Sequence, residues 1–159
     1  MNVVSDSSPL IALAAINSLD LLQALYGSIH IPDEVYEEVA VRGRYPTTAI
    51  ASIPWIIRRT VADMQQVAQF RNSGLDPGES EAITLALELP ASLLLVDELA
   101  ARKIARQQGL AITGVVGVLI DAKESGLITS IKPLLGKLVT AGFYCSPRLI
   151  AHALELAGE

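Results

Sequence analysis

Short apolar runs alternate with helix-periodic stretches along the whole chain. Val3-Val4-Ser5 is a brief apolar run that breaks off at Asp6, followed by Ser7-Ser8-Pro9 and then Leu10-Ile11-Ala12-Leu13-Ala14. The order is strand, carboxylate, helix start, because proline suits a first helical turn and Ser or Asp can cap its free amides. A second helix opens at Ser18, with Leu19, Leu22 and Leu25 on one side, and ends at Tyr26-Gly27. Residues 28–31 form a strand candidate. Pro32-Asp33-Glu34 then begins a helix with acids in its first turn, where the helix dipole favours them. Val35 and Val39 mark its buried face, and Glu38 stands beside that stripe.

Further on, 47–51 reads as a short helical piece and 55–61 as a strand near a sheet edge, because it carries Arg58 and Arg59. A helix is expected over 62–70 and a loop over 72–78. Asp76-Pro77-Gly78-Glu79 is a helix start, with Asp76 as N-cap, Pro77 first in the helix and Glu79 reaching back as in a capping box. That helix stops near Pro90. The apolar run 92–96 is short enough for a buried strand. It ends in Asp97-Glu98, with a helix over 99–108, so the opening order of strand, acid and helix recurs. A strand over 109–114 has glycine at both ends. A helix over 115–125 is closed by Gly126, a usual helix stop. Two more helices cover 130–140 and 147–157. This alternation predicts an α/β fold of three layers, helices on both sides of a parallel sheet of four to five strands, in one domain over 1–159.

Composition agrees with that reading. The chain has 159 residues, 51% of them hydrophobic but only 4% aromatic, so the core is aliphatic, as where helices pack on a parallel sheet. The net charge of -5 argues against a broad electrostatic grip on nucleic acid, while leaving room for a local basic groove. With Cys145 the only cysteine, no disulfide can form within the chain, and a reducing, cytoplasmic setting is expected. Cys145 reads as a packed thiol, and His30 lacks neighbours at metal-ligand spacing. No secretion signal is expected, and no apolar run approaches the ~20 residues of a membrane span.

The chemistry rests on acids. In an open α/β sheet, ligands sit outside the carboxyl ends of the strands, and Asp6 and Asp97 both follow strands. Asp6 has two readings, a site carboxylate or a helix cap, and its own stretch does not separate them. If the two strands are neighbours, Asp6 and Asp97 meet at one rim, and crossover helices can add Glu38 and Glu81. Four crowded carboxylates repel one another and persist with a cation between them or with protons taken up. Mg2+ and Mn2+ are hard cations that take oxygen ligands, and such a site can activate water against a phosphodiester. Glu79 and Glu81 are two apart and cannot face one point on a helix. Glu79 reads as a cap and Glu81 as the site residue. Glu98 follows Asp97 directly and has two readings, a further site acid or the start of the next helix. Arg42, Arg44, Arg102 and Lys103 are candidates for steering phosphates.

The chain resembles PIN-domain proteins, in particular a prokaryotic subfamily related to the VapC toxins. The resemblance lies in Val4-Ser5-Asp6-Ser7-Ser8-Pro9-Leu10-Ile11, Pro32 with Val35 and Glu38, and Gly78-Glu79-Ser80-Glu81-Ala82-Ile83. It continues through Leu94-Leu95-Val96-Asp97-Glu98 with Ala101-Arg102, Thr113-Gly114 with Gly117-Val118-Leu119, and Ala141-Gly142-Phe143-Tyr144 with Ser146-Pro147. It implies a parallel sheet between helices and a metal-dependent ribonuclease site, with the family's acids falling on Asp6, Glu38, Glu81 and Asp97. Glu81 departs from the Asp usual at its place. The resemblance also implies an RNA substrate and, for many members, a toxin silenced by a small antitoxin protein.

The expected function is therefore a divalent-metal-dependent endoribonuclease, with Asp6, Glu38, Glu81 and Asp97 holding Mg2+ or Mn2+ and the chain assembled as a homodimer or higher homo-oligomer. The rival is a catalytically inactive PIN-fold module that binds nucleic acid or protein as an oligomer, motivated by the high apolar fraction. A phosphoaspartate enzyme is disfavoured, because Asp6 lacks a second Asp two residues on for general acid work.

Overall fold

The computed structural model describes residues 2–42 and 47–159. The short apolar runs become five strands: β1 (Val3–Ser5), β2 (Ile29–Pro32), β3 (Ile56–Arg59), β4 (Leu93–Leu95) and β5 (Ile112–Thr113). All pairings are parallel, in the order β3-β2-β1-β4-β5. Val3, Val4, Leu94 and Leu95 are fully buried. Continuous apolar strands of this kind belong in the middle of a sheet covered on both faces.

The helices are α1 (Ser7–Ala15), α2 (Asp20–Tyr26), α3 (Asp33–Tyr36), α4 (Met64–Asn72), α5 (Pro77–Glu88), α6 (Leu99–Gln107), α7 (Val115–Glu124), α8 (Lys132–Thr140) and α9 (Pro147–Leu156). One group, α3, α4 and α5, packs together, with α5 lying on β1, β2 and β4; the other brings α1, α2 and α9 against α7. The result is the three-layer α/β/α fold that the sequence implies.

The order of the strands decides where the chemistry can sit. From β1 the chain steps outward to β2 and β3, then crosses back to place β4 on the other side of β1. The β1–β4 boundary is thus the switch point, where a crevice opens outside the strand ends. Val3, Val4 and Ser5 pair with Leu93, Leu94 and Leu95 in register, and the Asp6 amide donates to the Leu95 carbonyl at 2.9 Å. Asp6 and Asp97 are therefore held at the same rim.

Several boundaries differ from the sequence reading. Helix α1 begins at Ser7, directly behind Asp6, rather than at Leu10. Helix α4 runs on to Asn72, because Phe70 is buried and holds that last turn in the core. Strand β5 keeps two residues of the expected six. Gly109, with φ of 79°, ends α6, and the Leu110 amide donates back to the Ala105 carbonyl, so the start of that run belongs to the helix cap. After Tyr36 the helix widens into a π-helical turn over Glu37–Val41, closed by the Arg42 amide donating to the Glu37 carbonyl at 3.0 Å. Side-chain periodicity does not reveal such a turn, which occurs often at functional positions. Among the described residues no helix is long and apolar enough to cross a membrane.

Leu94 lies fully buried in β4 between β1 and β5. Leu94→Ala is expected to lower the unfolding free energy by about 2–5 kcal/mol, read from the urea midpoint at unchanged m-value.

Candidate active site

Asp6 stands at the N-cap position of α1, but its side chain makes no capping bond there. Capping therefore does not account for it. Asp6 as a residue is 4% exposed, and burial pushes its pKa up to about 8; the Ser7 amide opposes that rise, while the charges of Asp76, Glu79 and Glu38 add to it. A carboxyl this deeply buried is costly in its charged form.

Glu38 comes from the π-helical turn after α3 and reaches the same point. A Cβ on Gly78 would lie 2.5 Å from Glu38 Oε1 and 3.5 Å from Asp6 Oδ1. The bare Cα of Gly78, in the first turn of α5, is thus what lets the two carboxylates converge at that helix's positive end. Burial raises the Glu38 pKa; the Ser7 hydroxyl and Arg42 oppose this, while Asp76 adds to it.

The start of α5 contributes a third acid. Asp76 and Glu79 form the expected capping box: the Glu79 amide donates to Asp76 Oδ1 at 2.7 Å, and the Asp76 amide donates to Glu79 Oε1 at 3.0 Å. The box uses only one Glu79 oxygen. Oε2 is buried, with no hydrogen-bond partner among the described residues. Burial, with Asp76 and Glu98 adding their charge, pushes the Glu79 pKa up to about 7. Asp6, Glu38, Asp76, Glu79 and Glu98 line one cavity of about 250 Å3, together with Ser7 and Ser8.

Of the four acids expected from the sequence, Asp6 and Glu38 share this cavity. Glu81 is turned to the start of α3, where its Oε1 accepts from the Glu34 amide at 3.2 Å. Asp97 sits at the same sheet rim but faces α7. Its Oδ1 accepts from the Val115 amide at 3.0 Å, and Arg102 lies near; both hold its pKa down against the larger effect of burial, which raises it. Gly114 is a glycine for the same reason as Gly78, since a Cβ there would run into Asp97 Oδ1.

Glu79 and Glu98 were readable only in part. Glu79 passed for a cap, and it is one, but a capping carboxylate keeps a second oxygen free. Glu98 follows an Asp that caps α7 from a distance, and neighbouring residues in extended backbone point opposite ways. Hence Asp97 faces α7 while Glu98 faces the acids. Among the phosphate-steering candidates, Arg42 pairs with Glu34 at 3.4 Å, and Arg44 lies outside the described residues.

Among the described residues no three acidic, His or Cys side chains stand close enough to hold a metal ion unaided. Still, the donor set is carboxylate throughout, one buried oxygen has no partner, and two of the pKa values are driven far up. That set fits a hard divalent cation held by two carboxylates and keeping most of its water; it does not fit a dry cage of four.

The family described as PIN domain (DUF3368) matches residues 2–159 of the chain. Among solved structures, a PilT N-terminus domain protein from the hyperthermophilic archaeon Sulfolobus solfataricus P2 is similar in fold, with a TM-score of 0.54 and 18% identity over 77% of this chain and 93% of that one. No curated protein matches the chain.

Two outcomes follow from the geometry. A raised folded-state pKa gives stability that is complete below the unfolded pKa, near 4, and is lost as pH rises through about 8. Without divalent cations, the wild type should therefore lose stability from pH 5 to pH 8. Asp6→Asn should flatten that slope and be the more stable protein by about 2 kcal/mol or more at pH 8; parallel urea curves for the two proteins at both pH values check this. Second, Gly78→Ala should fold normally, since only the end of a flexible side chain must move, yet bind Mn2+ about tenfold or more weakly by calorimetry.

Proposed function

This chain belongs to the PIN-domain family, whose members are generally nucleases, and from that premise we propose that it is a divalent-metal-dependent endoribonuclease. The observation that carries the reading is the convergence of Asp6 Oδ1 and Glu38 Oε1 over Gly78, in a cavity that Glu79 and Glu98 complete. Buried acids that repel one another at a switch point are costly to keep without a counter-charge.

Asp6 and Glu38 are the oxygen ligands in this proposal. Glu79 Oε2 has no other partner among the described residues and orients water beside them. Glu98, exposed at the mouth, completes the negative ring. Asp97 ties α7 to the end of β4 through the Val115 amide, holding the rim in shape, and Glu81 fixes the start of α3, the helix that delivers Glu38. A bound Mg2+ or Mn2+ would supply Lewis acidity toward a phosphodiester and lower the pKa of water. Protons compete for the same oxygens, so cation affinity should rise with pH through the range in which Glu79 and Asp6 ionise, about 7 to about 8.

In this reading residues 1–159 act as one nuclease domain, in the cytoplasm, as a homodimer or larger homo-oligomer. Toxin activity under a small antitoxin protein is the biological setting that the VapC likeness favours.

The assay is cleavage of end-labelled single-stranded and structured RNA with Mg2+ or Mn2+. Asp6→Asn and Glu38→Gln should each lower the rate about a hundredfold or more, whereas Glu81→Gln should stay within about threefold. Cleavage that persists in EDTA, or at wild-type rate in Asp6→Asn, would sink the mechanism. Intact RNA under all conditions would instead favour the inactive binding module.

A further inference from the structure

Residues 97–100 divide two cavities. Glu98 and Ala100 face the acidic one; Asp97 and Leu99 face a second, of about 450 Å3, between α6, α7 and α9. A chain laid across this ridge touches both. The second cavity carries cations as well. Arg102 and Arg106 line it beside Asp97, with Ile112, Val116 and Ile120 as its aliphatic part.

The two arginines are four apart on α6 and so share one face, where like charges repel. Burial and the charge of Arg106 weigh against the Arg102 guanidinium, and Asp97 offsets part of that cost. Neither makes an ion pair within 4 Å among the described residues, although the chain carries a net charge of -5. Arg102 donates through Nη1 to the Val96 carbonyl at 2.8 Å, which fixes its guanidinium beside Gly114 of the groove's lining. Leu99, 80% exposed, stands at the dividing ridge. The far wall is firm: Lys123 of α7 donates to the Ala157 carbonyl just beyond α9 at 2.5 Å and pairs with Glu159 at 2.9 Å.

We propose that this groove is a subsite for one nucleotide of single-stranded RNA adjoining the scissile phosphodiester, with Arg102 and Arg106 on its phosphate and the aliphatic wall against its base. The proposal rests on the nuclease reading above, and it specifies the substrate's form. Forked guanidinium donors match a phosphate's oxygens. The volume is that of a small-ligand site, enough for a nucleotide and too small for a duplex. A base has an apolar face that the aliphatic part of the wall can cover, and stacking of that kind is tolerant of sequence.

The test uses the full chain with Mg2+ and a 2′-O-methyl hexanucleotide that cannot be cleaved, with adenosine 5′-monophosphate, inorganic phosphate and an oligoglutamate as separate probes. The hexanucleotide should bind Arg106→Gln about tenfold more weakly than wild type, with a shallower salt dependence. Arg106 is exposed, so the variant should keep its urea midpoint. Adenosine monophosphate should shift the NMR methyl signals of Ile112, Val116 and Ile120, and phosphate alone should leave them in place. In cleavage, Arg106→Gln should raise KM with little change in kcat. Equal hexanucleotide binding by wild type and Arg106→Gln, unmoved methyl signals, or a groove that takes oligoglutamate in preference to the hexanucleotide would each overturn the proposal. The two readings fail separately. Binding in the groove without cleavage defeats the nuclease and keeps the groove as a nucleotide-binding site alone; cleavage with Arg106→Gln binding like wild type does the reverse.

Discussion

The structure is built around the cost of burying carboxylates. Asp6 is placed at the end of an interior strand, where water is scarce and other acids are near. Charged groups in such places shift their pKa, find a counter-ion or unfold their surroundings. Here the elements around Asp6 bring further acids to it. The π-helical turn brings Glu38, the first turn of α5 brings Glu79, and the β4–α6 connection brings Glu98. A fold that concentrates like charge at one rim gives up stability there, and in the proposed reading a bound cation offsets that cost.

Two glycines set the geometry. Gly78 leaves room for Glu38 beside Asp6, and Gly114 leaves room for Asp97 beside the α7 amides. Each lets a carboxylate reach the start of a helix, where free amides and the dipole favour negative charge. One such contact serves the cavity and the other the frame. This division of labour between residues of the same type is set by which way each side chain leaves the backbone.

The alternation of apolar runs and helical stretches was enough to read the layers and the parallel sheet, because burial on both faces leaves a strong mark on sequence; that β1 and β4 are neighbours came from the structure. Asp6 and Glu38 were legible for a related reason: one directly follows a strand and the other flanks a helix's buried stripe. What could not be read was direction. The turn from α to π geometry after Tyr36 leaves no periodic signal. The choice between Glu79 and Glu81 depended on a capping box occupying one oxygen and leaving the other free. The choice between Asp97 and Glu98 depended on a partner, the Val115 amide, that lies 18 residues further on. Contacts of that kind belong to the tertiary structure and have no local trace.

The most direct measurement is the titration of the Asp6 carboxyl itself, by carbon NMR on protein labelled at aspartate, with and without Mg2+. The account predicts a midpoint near the value of about 8 set by burial when the cation is absent, falling below about 5 when Mg2+ saturates the site. A midpoint near that of an exposed aspartate, unmoved by Mg2+ or Mn2+, would contradict it.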